Sequence, residues 1–379
     1  MEYKEYELGE LLPYEQPTPF IVESTDYNDD YKIPVLTAGK SFILGYTNET
    51  DGVYDQVPVI IFDDFTTASQ YVNFKFKVKS SAMKILSPVK TLVMPKYIFY
   101  RMQIINFDHS THKRYWIQQY SKIKVRIPPL AEQQRIVNRI EEMFSQLDAG
   151  VETLKKTKAQ LVVYRQAVVE DAISTSKKCG AVAKKFGEYV ALYQNGISKR
   201  SGNGTSTPVL RLADIEKQQI ITDNEFRCIG LTDNERSRFL LNKGDLLIIR
   251  VNGSENNVGR SIVVNKGAHY AACDHFIRCV VDNERLTTGY AQLILDSFAS
   301  RRYIKENMVS SAGQNTVSQT TMNNITVYVP AINIQNAIMT SVKEKLSVCD
   351  SIEQTVYMAL QQAEAMRQSI LKDAFEGRL

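Results

Sequence analysis

The sequence lacks most of what an enzyme, a membrane protein or a secreted scaffold would show. No apolar run approaches the roughly 18 residues of a membrane-spanning helix. The first ten residues, MEYKEYELGE, are acidic and polar, unlike a secretory signal. There are five cysteines, an odd number without Cys-x-x-Cys spacing, which fits a reduced, cytoplasmic protein better than a disulfide framework. There are four histidines. His109-x-x-His112 and Cys273-x-His275 contain metal-ligand types, but neither belongs to a complete ligand set at a recognised spacing, so no metal is expected. No Gly-x-x-x-x-Gly-Lys-Ser/Thr loop is present to cradle a nucleotide triphosphate, and no glycine-rich fingerprint follows a strand. A methyltransferase acting on an amine would need an Asp/Asn-Pro-Pro-aromatic loop; the only Pro-Pro, in IPPL, has apolar neighbours. Asp63 and Asp64 are adjacent, and adjacent residues of a strand face opposite ways, which does not make a nuclease carboxylate cluster. Asp274-His275 with Ser254 or Ser261 lacks the nucleophile elbow of a hydrolytic triad. No catalytic residue and no cofactor of its own is therefore expected.

The chain has 379 residues, 44% hydrophobic and 23% charged, enough for two or three domains with real cores. Its net charge of +4 conceals a strong asymmetry. Residues 1–74 hold three basic and fourteen acidic residues; residues 75–130 hold twelve basic and one acidic. Such a division points either to a face that binds a polyanion or to two halves whose charges pair on folding.

Proline is absent from 131–176 and from 331–379, and these two stretches belong to an internal repeat. With an offset of 202, Ile123 falls on Ile325, Val125 on Val327, Pro128 on Pro330 and Gln133 on Gln335. Ile136, Glu142, Asp148 and Gln160 then match Ile338, Glu344, Asp350 and Gln362, and Arg165-Gln166 and Asp171-Ala172 match Arg367-Gln368 and Asp373-Ala374. Each copy runs from a short strand (IKVRIP, ITVYVP) through proline into a long helical pattern. Ile140, Leu147, Leu154, Leu161 and Val168 recur every seven residues in the first copy, as Val342, Cys349, Val356, Ala363 and Ile370 do in the second. A strict seven-residue period describes a coiled-coil seam. The two seams fit each other as an antiparallel pair; packing on the neighbouring domains or homodimerisation are the alternatives.

The segments before the helices also correspond. IPVL (Ile33–Leu36) has a counterpart in TPVL (Thr207–Leu210), and VPVIIFDD has one in GDLLIIRVNGS. The expected fold is α+β: two mixed α/β recognition domains related by a pseudo-two-fold and separated by two long antiparallel coiled-coil helices. The boundaries are 1–127, 128–178, 179–329 and 330–379. Two unlike readers on similar helices suit a duplex target made of two different half-sites, since duplex DNA has local two-fold symmetry. Candidate DNA contacts in the first domain are Lys75, Lys77 and Lys79, alternating along one strand face in FKFKVK, with Lys84, Arg101, Lys113 and Arg114. In the second they are Lys199, Arg200, Arg250, Asn252, Asn256, Asn257 and Arg260, with Gln314 and Asn315 in SSAGQNTVSQ. Lys and Arg neutralise phosphates, and Arg, Asn and Gln read base edges; turns of the same composition are also common without a ligand.

IPPLAEQQRIVNRIEEMF, VYVPAINIQNAIMTSV, YRQAVVEDAI and MRQSILKDAFEGRL resemble the specificity subunits of type I DNA restriction–modification systems. GDLLIIRVNGSENNVGR, SSAGQNTVSQTTMNNITVYVP and DDFTTASQYVNFKFKVKSSAMKIL are similar to that family's recognition domains. The resemblance implies a non-catalytic subunit that reads a bipartite, gapped DNA target. It implies helices that act as spacers and dock two methyltransferase subunits, which bind S-adenosylmethionine and methylate adenine. A separate subunit, using ATP and Mg, would translocate and cleave DNA. Docking would involve Glu132, Gln133, Gln134, Arg165, Gln166, Arg367 and Gln368. The second helix start departs from the pattern, with AINIQN in place of AEQQ.

Overall fold

The computed structural model describes residues 3–39, 41–108, 114–216, 218–221, 225–265 and 269–379. The chain divides into two units: unit 1 is Met1–Lys155 with Tyr357–Leu379, and unit 2 is Lys156–Val356. The division passes through both long helices, α1 (Leu130–Lys178, 49 residues) and α2 (Ile332–Phe375, 44 residues). Each unit thus owns part of each helix, whereas the sequence boundaries set the helices apart from the domains. The helices form where proline is absent, and each ends where a glycine supplies the left-handed turn that other residues resist. Gly180 (φ +84°) follows α1 and Gly377 (φ +73°) follows α2. Lys177 and Lys178 in the last turn of α1 complement its negative end.

Unit 1 contains three small sheets. Four antiparallel strands lie in the order Tyr14–Glu15, Met83–Leu86, Val59–Asp63, Ser69–Val72. Three lie in the order Ile43–Thr47, Ile33–Leu36, Lys77–Val78, the first pair antiparallel and the second parallel. Lys4–Glu7 pairs antiparallel with Lys124–Ile127, the strand that leads into α1.

Unit 2 repeats this plan element by element. Its four-stranded sheet runs Val190–Asn195, Phe276–Val281, Leu246–Ile249, Ser261–Val263. Its three-stranded sheet runs Arg227–Leu231, Thr205–Leu210, Ala271–Ala272, again with one antiparallel and one parallel pair. Ala183–Lys185 pairs with Thr326–Tyr328 ahead of α2. IPVL and TPVL occupy the same place, the middle strand of the three. Among the described residues unit 2 adds a three-stranded sheet, Val251–Asn252, Gln314–Thr316, Val309–Ser311, and a short two-stranded one, Ile215–Glu216 with Gln219–Ile220.

The apolar alternation of these short strands fills separate cores. In unit 1 Leu8, Ile60, Phe62, Ile98 and Trp116 are buried with Ile136 and Ile140 of α1 and Leu371 and Ala374 of α2. In unit 2 Phe186, Ile248, Ile277 and Tyr290 are buried with Val168 and Ala172 of α1 and Ile338 and Val342 of α2. Within each unit the helix segments are antiparallel, since residues rising along one meet residues falling along the other. The seven-residue stripe is buried at Ile140, Leu161, Val168, Val342, Cys349, Val356, Ala363 and Ile370 and half-buried at Leu147 and Leu154. Among the described residues no helix is long and apolar enough to cross a membrane.

Both four-stranded sheets also bury one cation on the corresponding strand, Met83–Leu86 in unit 1 and Phe276–Val281 in unit 2. Lys84, opposite Phe62, pairs with Asp64 at 3.5 Å, and Arg278, opposite Leu247, pairs with Asp245 at 2.7 Å. The carboxylates come from two residues after and two residues before the opposing position. Each also accepts a backbone N–H, from Trp116 (2.8 Å) and from Asn242 (2.6 Å) respectively. A buried charge of either sign is tolerable only with such a set of partners.

Candidate nucleic-acid interface

The starts of the long helices are built alike. Gln133, in the first turn of α1, is fully buried. Its Nε2 donates to the carbonyls of Leu92 (3.0 Å) and Pro128 (2.8 Å), and its Oε1 accepts from the Met94 N–H (2.8 Å). Gln335, in the same place on α2, donates to Arg285 O (2.8 Å) and Pro330 O (2.8 Å) and accepts from Thr287 N–H (2.9 Å). Each amide ties a helix start to the loop that precedes a shorter helix, Pro95–Met102 or Thr288–Asp296. The expectation that Gln133 faces a partner is corrected, because all three bonds point inward.

The arginines of the repeat are also committed. In unit 2 Arg165 of α1 reaches Asp350 (2.6 Å) and Glu353 (2.9 Å) of α2. In unit 1 Arg367 of α2 pairs with Asp148 of α1 and lies over the Phe144 ring (4.5 Å to its centroid). Arg165 matches Arg367 in the repeat and Asp148 matches Asp350, so one contact occurs twice with the roles of the helices exchanged. Both arginines expected at a docking surface close a helix–helix ion pair and stay partly exposed beside it. Gln134, Gln166 and Gln368 are exposed, and Glu132 is partly exposed and paired with Arg135 (2.7 Å). The exposed large apolar residues of the helices are Val162, Val163, Tyr164, Val348 and Ile352 in unit 2 and Leu130, Tyr357, Met358 and Met366 in unit 1.

Of the basic residues proposed in unit 1, Lys77 and Lys84 are buried. Lys77 pairs with Glu49 (2.8 Å) and donates to the Asp51 carbonyl (2.7 Å). FKFKVK does not present three lysines on one exposed face, because Lys77 is buried against its carboxylate partner while Lys75 and Lys79 stay outside. Lys75 and Lys79 are exposed: Lys75 lies 3.7 Å from Asp55, and Lys79 donates to the Tyr27 hydroxyl (3.4 Å). Arg114 is exposed over Phe65, and Arg101 is half-buried over Phe375. Lys113 lies outside the described residues, as do His109 and His112.

Unit 2 gathers its cations differently. Lys199 and Arg200 line a cleft of about 450 Å³ with Arg211, Arg227 and His275. Arg211 and Arg227 did not emerge from the sequence, since one follows the strand Thr205–Leu210, the other opens the strand Arg227–Leu231, and they share no motif. The cleft lies over the three-stranded sheet, whose middle strand brings Val209 opposite Arg227. Lys199 is paired with Glu235 (2.5 Å) and Arg211 with the buried Asp214 (3.2 Å), and Arg227 donates to the Arg200 carbonyl. One ligand atom from each of Cys273, Asp274 and His275 lies within 4.8 Å of the others on the cleft wall. With four cationic side chains lining the same cleft, an anion is favoured there over a metal ion. Burial pushes the Cys273 thiol above its ordinary range, away from nucleophilic reactivity.

Several polar residues expected at the interface are occupied internally. The Asn252 side-chain oxygen accepts from Ser254 N–H (2.8 Å), and Asn315 Nδ2 donates to Gly253 O (3.0 Å). Arg250 donates to Asp274 O (3.2 Å). Arg260 donates to Asn256 O (3.0 Å) and lies 3.5 Å from the half-buried Asp296, whose carboxyl is raised above its usual range by desolvation. Asn256 and Asn257 are exposed. Gln314 is exposed on the added three-stranded sheet, with no hydrogen-bond partner for its side chain among the described residues.

Comparison with known proteins places this architecture. A family model described as "Type I restriction modification DNA specificity domain" matches residues 1–162. The chain is 44% identical over 209 residues to the EcoR124I/EcoR124II specificity subunit of Escherichia coli, covering 51% of this chain and 50% of that protein. It is 32% identical over 308 residues to the StySPI specificity subunit of Salmonella potsdam, covering 78% of this chain and 66% of that protein. The chain thus spans between half and 66% of the length of these relatives. Its fold is similar to a chain solved in work on complex assembly and conformational transition of the type I restriction–modification system (TM-score 0.71, 14% identity, covering 100% and 98% of the two chains). It is also similar to the HsdS subunit of Thermoanaerobacter tengcongensis (TM-score 0.52, 14% identity, covering 100% and 97%). With two corresponding units, paired helix segments and these relatives in agreement, the chain belongs to the family of type I restriction–modification specificity subunits.

Proposed function

We propose that this chain is the non-catalytic, DNA-reading subunit of a type I restriction–modification complex. Each unit reads one half of a bipartite target, and the helices set the gap between the halves. The observation that carries this reading is the duplicated scaffold with unlike lining: strand order and helix anchoring repeat, and the exposed polar residues do not. A protein that read a symmetric target would need no such divergence. Two adenine methyltransferase subunits dock on the helices, where exposed Val162, Val163, Tyr357 and Met358 offer apolar area that a monomer gains nothing by presenting. S-adenosylmethionine resides on those subunits, and ATP and Mg serve a translocating, cleaving subunit bound through them. Five free cysteines suit the cytoplasm.

The test is the methylome of cells expressing the chain with its methyltransferase. The expected motif has two different short halves around a fixed gap. Adding seven residues to both helices, after Asp148 and after Asp350, is expected to lengthen the gap and leave both halves intact. A motif without two halves, or a gap insensitive to the insertions, would sink the proposal.

A further inference from the structure

The three-stranded sheet that unit 2 adds to the shared scaffold ends in a two-stranded ribbon, Val309–Ser311 paired with Gln314–Thr316. Its tip is Ala312-Gly313, both left-handed (φ +47° and +75°). Two consecutive positive φ values give the tight hairpin turn that follows strand twist. Alanine adopts that conformation at a cost of roughly 1–2 kcal/mol, where Asn or Gly would be easier. The ribbon is short, exposed and hydrophilic at its end: Ser310, Ser311 and Gln314 have no side-chain hydrogen bond among the described residues. Its root is rigid. Val317 is fully buried in the unit 2 core, and its N–H donates to Arg250 O (2.9 Å). The Arg250 N–H donates in turn to His275 O (2.7 Å), and its guanidinium holds Asp274 O. His275 and Asp274 are the wall of the cationic cleft. The root of the ribbon is therefore tied to the wall of a cleft that four cationic side chains line.

We propose that this ribbon is the base-reading element of unit 2, and that Gln314 determines specificity at one base pair while the cleft holds the adjoining phosphates. The inference rests on the DNA-reading role proposed above. A two-stranded ribbon fits the major groove, where a Gln amide can both donate to and accept from an adenine edge. Ser311 lies directly opposite Gln314 across the ribbon, so their side chains share a face at the tip. Phosphates held by Arg200 and Arg227 would fix the register of that face without reading sequence. A tightly turned hairpin on a buried root is suited to reading, because a side chain on an anchored base loses little freedom when it binds.

The experiment compares methylation motifs from cells carrying the full complex with wild-type chain, Gln314→Ala, Gln314→Glu or Arg227→Ala. The wild type is expected to give a bipartite motif. Gln314→Ala is expected to relax one position of one half-site, discrimination there falling roughly tenfold to a hundredfold, with the other half and the gap unchanged. Gln314→Glu is expected to shift preference at that same position, since a carboxylate accepts from cytosine and cannot donate to adenine N7. Arg227→Ala is expected to weaken methylation of all matching sites together and to reduce the salt dependence of binding. Thermal unfolding of each purified variant, unchanged from wild type, shows that the fold is kept. If both Gln314 variants reproduce the wild-type motif at every position, the ribbon does not read bases and the inference is overturned, while the DNA-reading role stands. If the wild type yields no bipartite motif, both fall.

Discussion

Unit 1 and unit 2 place different chemistry on the same ladder. In both, a valine of the middle strand of the three-stranded sheet has one parallel and one antiparallel partner. Val209 faces Arg227 across its antiparallel pair, and Val35 faces Gly45. Arg227 leads into the cationic cleft of unit 2. At Gly45 a Cβ would lie 2.6 Å from that of Tyr27, so the ring occupies the space a side chain would take. The parallel partners differ as strongly. Ala271 is a small buried residue in unit 2, and Lys77 is a buried cation with its own carboxylate in unit 1. The pairing pattern of a short sheet depends on backbone hydrogen bonds and survives these exchanges. The surface above it depends on the side chains alone, and so can diverge without unfolding the scaffold.

That comparison can be broken most severely at the buried cations of the four-stranded sheets. Lys84→Met or Arg278→Met leaves a buried carboxylate without its counter-charge. Each is expected to destabilise its own unit by about 3–5 kcal/mol. Hydrogen exchange should report the loss in the sheet of the altered unit, and an equal loss in both units from one substitution would show that they do not fold independently. The second largest effect is expected at the helix anchors. Gln133→Leu and Gln335→Leu each leave two carbonyls and one N–H without a partner, costing about 2–4 kcal/mol. The two losses should match, since the two sets of bonds match; peptide-resolved exchange at the first turn of α1 and of α2 measures both. A cost confined to one helix would mean that the duplicated geometry is not energetically duplicated. The smallest effect belongs to the exchanged ion pairs. Arg165→Ala and Arg367→Ala are partly exposed changes worth about 1 kcal/mol or less each, and fading in high salt. Chemical denaturation at low and high ionic strength tests this.

Much of the architecture was legible because it is periodic or repeated. The seven-residue copy from Val342 to Ile370 is buried throughout, the stripe from Ile140 to Val168 is buried except at half-buried Leu147 and Leu154, and IPVL and TPVL became equivalent strands. The site was legible only in part. FKFKVK looked like one basic face because its charges alternate, yet alternation does not say which face of a strand is covered, and Lys77 went inside. Gln133 was placed among the docking residues by the family resemblance of its segment, IPPLAEQQRIVNRIEEMF. The signal of its real role was present in the repeat: Gln133 recurs as Gln335 while its neighbours Glu132 and Gln134 become Ile334 and Asn336. A polar residue kept where its flanks change has an internal partner to keep. Arg211 and Arg227 carried no signal, for they are sixteen positions apart with no motif between them.

The sequence by itself determined where the chain is helical, where it repeats and which stripe of each helix is covered, because period and proline placement act locally and need no partner. Only the tertiary structure decided which cations are buried with carboxylates and which line a cleft. It also decided that Gln133 and Gln335 bond inward and that one hairpin leaves Gln314 free. Those outcomes depend on which residues, distant along the chain, compete for the same charge or the same amide.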